Sequence, residues 1–537
     1  MSSFIPETAP FNEQQRAWLN GFFSGLMGLQ TATGDSASPA TMLVQAGIEA
    51  GSVGLLSSAD PVCEEEFPWH DSSLPLPERM ELAKDKSIDR RLMAAMAQLD
   101  CGSCGYVCQS YAEAIASGDE KNLTLCSPGG KETKQMIKLL LKDGTEASNG
   151  KSNGTSSSTA VEKVSGFNRQ NPWSARLIES RPLNKAGSTK DVRHVVIDLS
   201  GSGLKYEVGD ALGVYPVNCG ELAAAIVAKM GAEPTTRVRS PLGVDKPLID
   251  ALMHDCCLRD PSDELLELLA SRVEDRQARQ TLERMLSDGA PGGFDVLDAF
   301  GLAHHAHITA TEVVEVMSPL NPRLYSIASS MKKVGTEVHL TVGKVVYDRE
   351  GRMRKGAASH MLAERLALGE SVRVFVQPNH GGFTVPKSDQ TPMIMIGPGT
   401  GIAPFMGFLQ ERQARKATGK NWLFFGDQHQ ASDFLYEDEL ANYRSSGLLH
   451  RLDTAFSRDG ESKVYVQNRM QERARELWDW LESGAHVYVC GDASRMAADV
   501  ESALQKIIGT QGKRDETAAK QYIRELSESG RYVRDVY

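Results

Sequence analysis

The order of apolar and polar positions divides the chain into unlike parts. Residues 11–30, "FNEQQRAWLNGFFSGLMGLQ", place Trp18, Phe22 and Leu26 at the spacing of one helix face and read as a packing helix. Residues 57–77 are rich in Ser, Pro and Asp and read as a linker that carries an isolated Cys63. "SIDRRLMAAMAQLD" and "KETKQMIKLLLKD" have helical patterns and flank a cysteine-bearing stretch. Residues 143–160, "DGTEASNGKSNGTSSSTA", hold too few apolar side chains to fold and read as a flexible tether, separating everything before it from everything after. Beyond it, "RHVVIDLS", "GTEVHLTVGKVVYD" and "ESVRVFVQP" have the β-branched content of strands in a barrel or sandwich, and "YEVGDALGVYP" reads as a strand–turn–strand of the same body. Residues 219–318 turn helical, most plainly in "DELLELLASRVEDRQARQTLERML", like an insertion into that body. From residue 391 onward "PMIMIG", "NWLFFGD", "LLHRLDTAFS" and "HVYVCGD" alternate with helical segments, which predicts a parallel sheet wound with helices. No internal repeat is visible.

The predicted fold is therefore multidomain, α/β plus β. Its parts are an N-terminal helical segment (1–56), a linker (57–84), a small helical domain holding the cysteines (85–142), a flexible linker (143–165), an antiparallel β-barrel with a helical insertion at about 219–318 (166–385), and a doubly wound parallel-sheet domain (386–537).

Composition adds constraints. The chain has 537 residues, 41% of them hydrophobic and 24% charged, which is ordinary for a globular protein with several cores. A net charge of -11 argues against nucleic acid or an anionic membrane as the main partner and is compatible with docking onto a basic protein surface. No apolar run reaches the roughly 18 residues of a membrane span, and "MSSFIPETAPFNEQQ" has no basic n-region followed by an apolar stretch. The expected location is the cytoplasm, where clustered cysteines are metal ligands or redox groups rather than disulfides.

The chemistry concentrates in a few motifs. "IGPGTGIAPF", Ile396 to Phe405, follows a strand and opens a helix, so its backbone N–H groups and helix dipole suit a pyrophosphate; a plain tight turn is the alternative. "SRDGESKVYVQ" sets Ser457, Arg458, Lys463 and Tyr465 after a later strand, two cations and two hydroxyls that suit the 2′-phosphate of NADP or form a solvated basic patch. In "RLYSIASS", Arg323 and Tyr325 point the same way along a strand, one toward a flavin pyrophosphate and the other over a flat ring, with Ser326 at the ring's reactive edge. "KGAASHML" offers small residues and a helix start to the same pyrophosphate. Cys101, Cys104, Cys108 and Cys126 follow a C-x2-C-x3-C-x17-C spacing. Three close thiolates and one remote suit a 4Fe–4S cube, while structural zinc, usually held by two paired knuckles, and free thiols remain alternatives. Cys256 and Cys257 read as buried core, Cys63 and Cys219 as unremarkable, and His304, His305 and His307 as loop or helix histidines without metal partners.

These motifs, in this order, resemble the FAD- and NADPH-binding module of diflavin reductases, ferredoxin–NADP reductase-like in fold, and most closely the flavoprotein subunits of assimilatory sulfite reductases. The resemblance runs from about residue 166 to the last residue and includes "FFGDQHQASDFLYEDEL", "CGDASRMAADVESAL" and the terminal "YVRDVY"; residues 11–29 also resemble the helical lead of those subunits. It implies that Arg323, Tyr325, Ser326, Gly356, Ala358 and Ser359 bind FAD, and that Gly397, Thr400, Ser457, Arg458, Lys463, Tyr465 and Gln467 bind NADPH. Ser326, Cys490 and Asp535 would line the hydride path, with Tyr537 stacked on the flavin. Diflavin reductases carry an FMN-binding flavodoxin domain before this module, and here no flavodoxin-like βαβ pattern precedes it. The cysteine segment stands there instead and resembles a small bacterial four-cysteine iron–sulfur domain, with a gap of three rather than four residues between the second and third cysteines. The resemblance thus implies an enzyme in which a cluster replaces FMN as the one-electron carrier. Its acceptor would be the haem-containing subunit of sulfite reductase, in cysteine biosynthesis. An assimilatory nitrate reductase is the alternative acceptor, and a non-catalytic assembly subunit the alternative class.

Overall fold

The computed structural model describes residues 67, 69, 74–98, 104–120, 123, 125–126, 129–146, 166–304, 306–379, 381–493 and 495–537. The expected helix at 11–30, Cys63, Cys101, His305 and residues 147–165 of the tether lie outside the described residues, while residues 143–146, expected to begin the tether, instead end the helix Gly130–Glu146.

Among the described residues ahead of the tether there are four helices: Leu76–Leu82, Ile88–Ala95, Cys108–Ser117 and Gly130–Glu146. Leu92, Met93, Tyr111, Ile115, Ile137 and Leu140, from the last three of these, are buried. The first helix corrects the linker expected over 57–84. Prolines that suggest a linker instead start a helix here, Pro75 at its N-cap and Pro77 in its first turn, where a missing N–H costs nothing. The buried Arg79 then ties it to the backbone oxygen of Met96.

The next body is a six-stranded antiparallel sheet in the order β6-β3-β10-β1-β2-β7. Its strands are β1 (Trp173–Pro182), β2 (Val192–Asp198), β3 (Ala211–Val214), β6 (Arg323–Ser326), β7 (Glu337–Gly343) and β10 (Ser371–Gln377). A bridge between Ile327 and Leu340 joins the chain just past β6 to β7, bringing the two edges of the sheet together. The inner face is aliphatic, with Leu177, Val195, Ile197, Leu212, Leu340 and Val374 at most 1% exposed. Within "YEVGDALGVYP" only Ala211–Val214 is strand. Tyr206 to Asp210 form coil and a turn, closed by an Asp210 N–H to Glu207 oxygen bond, which corrects the strand–turn–strand reading. Gly209 explains it: at φ +103, with a Cβ position 1.8 Å from the Phe383 oxygen, it is a turn against another backbone.

Between β3 and β6 run six helices and the small hairpin of β4 (Arg237–Arg239) and β5 (Asp245–Pro247). They enclose a core of their own around Ile226, Leu252, Leu265, Leu269 and Val313. Cys256 belongs to that core, and burial pushes both its thiol and that of Cys257 up. After β7, the strands β8 (Val346–Arg349) and β9 (Arg352–Lys355) form a second hairpin.

The last body is a five-stranded parallel sheet in the order β13-β12-β11-β14-β15. The strands are β11 (Met393–Ile396), β12 (Asn421–Asp427), β13 (Arg451–Phe456), β14 (His486–Gly491) and β15 (Tyr532–Val536). Met393 to Ile396 are all 0% exposed, because helices cover both faces of a parallel sheet and leave no polar side. The order reverses between β11 and β14, and the crevice beyond the carboxyl ends of those strands is where such sheets hold ligands.

A tether permits separation, but here the segment ahead of it rests on the antiparallel body. Arg169 donates to the Gly105 oxygen, and its guanidinium carbon lies 3.4 Å from the centroid of the Tyr106 ring. Lys134 pairs with Asp263 of the helical insertion. The two sheet bodies meet through the β1–β2 turn: Asn184 and Ser188 donate to Asp433, and Lys190 pairs with Asp427.

Candidate active site

The crevice at the strand-order reversal is built from glycines. A Cβ on Gly401 would lie 2.2 Å from the Cys490 oxygen, and one on Gly397 would lie 2.4 Å from the Gly401 oxygen. Gly399 takes φ +57. The loop from Gly397 to Ile402 therefore folds against the end of β14, turns through a short 3-10 segment (Gly399–Ile402) and opens the helix Ala403–Ala414. A glycine-rich turn that opens a helix at this place in the sheet suits an anion.

At that mouth three chain-distant residues converge. Ser326, the last residue of β6, donates from Oγ to Asp535 Oδ2 at 2.9 Å. The Cys490 thiol reaches the same oxygen at 3.8 Å. Two donors on one carboxylate oxygen is an arrangement an ionised carboxylate satisfies. Burial, reinforced by Asp535, pushes the Cys490 thiol well above its ordinary value, so it is a protonated donor at neutral pH rather than a nucleophile. Beside them Tyr537 keeps its hydroxyl 2.9 Å from Thr400 Oγ1, while its main chain bonds Gly491 and Ala493. The residue is 42% exposed, yet burial around its phenol and the nearby Cys490 push that group's pKa up.

The remaining expected residues surround this core. Arg323 donates only to the backbone oxygens of Asn321 and Pro322 and has no carboxylate partner among the described residues, leaving its charge available to a phosphate. Burial raises the Tyr325 hydroxyl's pKa, with Arg323 opposing it. Gly356 caps the helix Ala357–His360, and a Cβ there would meet Ser359 Oγ at 2.4 Å; Ala358 is buried. Ser359 Oγ accepts from the Val345 N–H at 3.2 Å. Two residues earlier, a Cβ on Gly343 would sit 3.3 Å from the Thr400 methyl group, so this short loop lies between the Ser359 turn and the glycine loop.

Past β13, the main-chain N–H groups of Ser457 and Arg458 bond the oxygens of Asp427 and Gln428, each at 2.9 Å. Arg458, Lys463 and Tyr465 are exposed, and the two cations have no ion-pair partner among the described residues. Gln467 is held by Asp499 at 3.0 Å. Sequence reading missed Asp427 at the end of β12. Burial pushes its carboxyl up against the opposing Lys190, and Gly399's Cβ position lies 3.9 Å from its Oδ2. The signal was present, since "FFGD" and "VYVCGD" both end an apolar run in Gly-Asp.

Comparison with known proteins fits this geometry. Residues 165–361 match the model of the FAD binding domain, 395–502 that of the oxidoreductase NAD-binding domain, and 96–128 one described as "Putative Fe-S cluster". The sulfite reductase (NADPH) flavoprotein alpha-component of Bacillus subtilis is 42% identical over 407 residues, covering 75% of this chain and 67% of that one. The chain belongs to the sulfite reductase (NADPH) flavoprotein alpha-component family. The Photobacterium profundum alpha-component is 45% identical over 381 residues, 70% of this chain and 62% of its own. That of Neisseria meningitidis is 45% identical over 377 residues, 69% and 61%. This family member thus spans about three fifths of the length of several curated relatives. It is a flavoprotein oxidoreductase, with FAD, a nicotinamide dinucleotide and an iron–sulfur cluster as its cofactors.

The flavoprotein's residues fit these groups. The glycine loop packs its backbone directly against the end of β14, as a turn meant to receive a pyrophosphate would, and Arg323, Arg458 and Lys463 are cations without carboxylate partners among the described residues. In the cysteine segment, burial pushes the Tyr111 hydroxyl's pKa up, and Cys104, Glu120 and Cys126 add to the rise. Cys108 opens the helix Cys108–Ser117, three residues before Tyr111 on the same face. These thiols are the soft donors that iron–sulfur chemistry needs. Among the described residues no three His, Cys, Asp or Glu side chains are gathered closely enough to hold an ion; Cys101 lies outside them. No helix among the described residues is long and apolar enough to cross a membrane.

Proposed function

We propose that the chain oxidises NADPH and passes electrons through FAD and a 4Fe–4S cluster to the haem-containing subunit of an assimilatory sulfite reductase. The observation that carries this reading is the convergence of Ser326 and Cys490 on Asp535, which joins the end of β6 to the carboxyl ends of β14 and β15. That is where the edge of a flavin lying on β6 would meet a nicotinamide lying over the glycine loop. When bound, FAD takes electrons from NADPH as a pair and releases them singly, as a cluster or haem requires.

The protein's part is to bind and orient. Arg323, with Gly356, Ala358 and Ser359, would hold the flavin pyrophosphate, and Tyr325 and Tyr537 would pack on its ring. Gly397 and Thr400 receive the nicotinamide dinucleotide, and Ser457, Arg458, Lys463, Tyr465 and Gln467 receive its 2′-phosphate end. The Ser326 hydroxyl and Cys490 thiol, both pointed at Asp535, hold a polar, protonated wall at the reacting edge. Cys101, Cys104, Cys108 and Cys126 hold the cluster. The antiparallel body from 166 to 385 acts as a FAD-binding barrel, and 386–537 as the NADP domain. The names of the matched relatives support sulfite reductase as the system served, and we place the protein in the cytoplasm.

The test uses the anaerobically purified chain. NADPH should bleach its flavin bands, its iron content should match one four-iron cluster, and the reduced protein should drive a sulfite reductase haem subunit. Flavin bands that NADPH leaves unchanged would make it a non-catalytic subunit. Delivery to a nitrate reductase catalytic subunit alone would move it to the other pathway.

A further inference from the structure

The cysteine segment does not hang from its tether. Gly105, with φ +79, sits so close to Pro322 that a Cβ there would lie 2.7 Å from the Pro322 oxygen. Pro322 immediately precedes β6, and Ser326 ends that strand, a span of about 13 Å in extended chain. The contact is held on one side by Arg169, in the stretch leading into β1. Its guanidinium carbon lies over the Tyr106 ring, 3.4 Å from the centroid, and the group donates to the Gly105 oxygen. Arg169 is itself fixed, because the Tyr215 hydroxyl donates to its carbonyl at 2.6 Å, and Arg373 lies 4.9 Å from the Tyr215 ring centroid. On the other side of the segment, Lys134 of the helix Gly130–Glu146 pairs with Asp263, the first residue of an insertion helix.

We propose that Arg169 is a positioning residue: together with the Lys134–Asp263 pair it clamps the cysteine segment onto the strand that carries the flavin, so that cluster and flavin exchange electrons in a docked state within one chain. This rests on the function proposed above. The residues suit the task. A planar cation stacks on an aromatic ring while its fork donates to a carbonyl, which lysine does less well. Gly105 lets the two backbones touch. Cys104 is the neighbour of that glycine, and its thiol is 3.5 Å from the Tyr106 oxygen, so fixing Gly105 and Tyr106 fixes one expected ligand. The step at stake moves one electron from reduced flavin to oxidised cluster, with NADPH as the reductant and no bond made or broken between the two groups.

The experiment compares the full-length, anaerobically purified holoprotein with Arg169→Ala and Arg169→Lys. Deuterium exchange over residues 104–111 reads the clamp. Rapid mixing with NADPH, followed by flavin absorbance and by the cluster's paramagnetic signal, reads the transfer. In Arg169→Ala the exchange should quicken, and cluster reduction slow, each by about tenfold, the scale of one stacked, charge-assisted contact. Iron content and flavin bleaching by NADPH should not change, and Arg169→Lys should recover part of both effects. Should Arg169→Ala not fold, Lys134→Asp gives the same readout, and adding Asp263→Lys should restore it. Unchanged exchange, or faster exchange with undiminished cluster reduction, would overturn the proposal. A wild-type chain without iron would instead sink the proposed function, while the exchange data would still decide the clamp.

Discussion

Replacing Arg458 by alanine isolates coenzyme choice from the rest of the site. The position is set by main-chain bonds that alanine retains: the Arg458 N–H to the Gln428 oxygen and the Ser457 N–H to the Asp427 oxygen, each at 2.9 Å. The side chain is exposed and has no ion pair among the described residues, so its loss leaves no carboxylate stranded. What disappears is a charge-assisted contact to the 2′-phosphate, about 1.5–3 kcal/mol in general and toward the lower end at an exposed position. About 2 kcal/mol corresponds to a roughly thirtyfold fall in kcat/KM for NADPH, appearing mainly in KM. NADH, which lacks that phosphate, should change less than about twofold by the same reasoning. Ferricyanide, taking electrons directly from the flavin, is the convenient acceptor, and the assay should be run at low and high salt because an exposed charge is screened. Equal losses for both coenzymes would refute the assignment of Arg458, as would an NADPH effect indifferent to salt.

Tyr537→Ser keeps the backbone bonds to Gly491 and Ala493 but removes the ring and its bond to Thr400; discrimination between NADPH and NADH should weaken, because less binding energy goes into displacing a stacked ring, and unchanged discrimination in an FAD-loaded variant would count against the stacking. Cys104→Ser should lower iron content and abolish delivery to the haemoprotein while ferricyanide reduction persists; zinc without iron in anaerobic wild type, or undiminished delivery by the variant, would contradict the ligand assignment. Gly401→Ala must push its new methyl against the Cys490 oxygen, 2.2 Å from the ideal Cβ position; a stability loss of about 1–3 kcal/mol by denaturant titration and a raised KM for NADPH are expected, and a neutral variant would mean the loop is not tightly seated.

The parts of the fold legible in sequence are those whose pattern is decided locally. Met393 to Ile396 and the run "NWLFFGD" read as strands of a helix-covered parallel sheet because every side chain is apolar, and the glycines after β11 announce a turn that side chains would block. β1 escaped notice because its inward positions are few: Ala175 and Leu177 alternate inward, but a bulge after Leu177 breaks the alternation, and Arg176, Glu179 and Arg181 charge the outer face. The helix Leu76–Leu82 was hidden by the prolines that begin it. Tyr206 to Asp210 carry strand-like residues, but a turn at Gly209 against Phe383 overrides that preference. In the last of these, a distant contact outweighed the local propensity.

The candidate site divides along the same line. Loops such as Gly397–Ile402 are contiguous and carry their own signal, whereas Ser326, Cys490 and Asp535 are contributed by three separate strands and meet only when two sheets pack. Nothing in the spacing of those residues brings them together; the family resemblance did. The bonds at this junction therefore couple sheet packing to chemistry. Asn184 and Ser188 on Asp433 hold the two bodies at one side of their interface, and Ser326 on Asp535 joins them at the reacting edge. The same logic extends to the cysteine segment. Its spacing was legible from chain order, but its seat against Pro322 depends on Arg169, 64 residues beyond Gly105 and across the tether. A tether marks where a chain is free to move. Whether it moves is decided by contacts such as this one, whose removal should separate a cluster that is merely present from one that is placed to receive an electron.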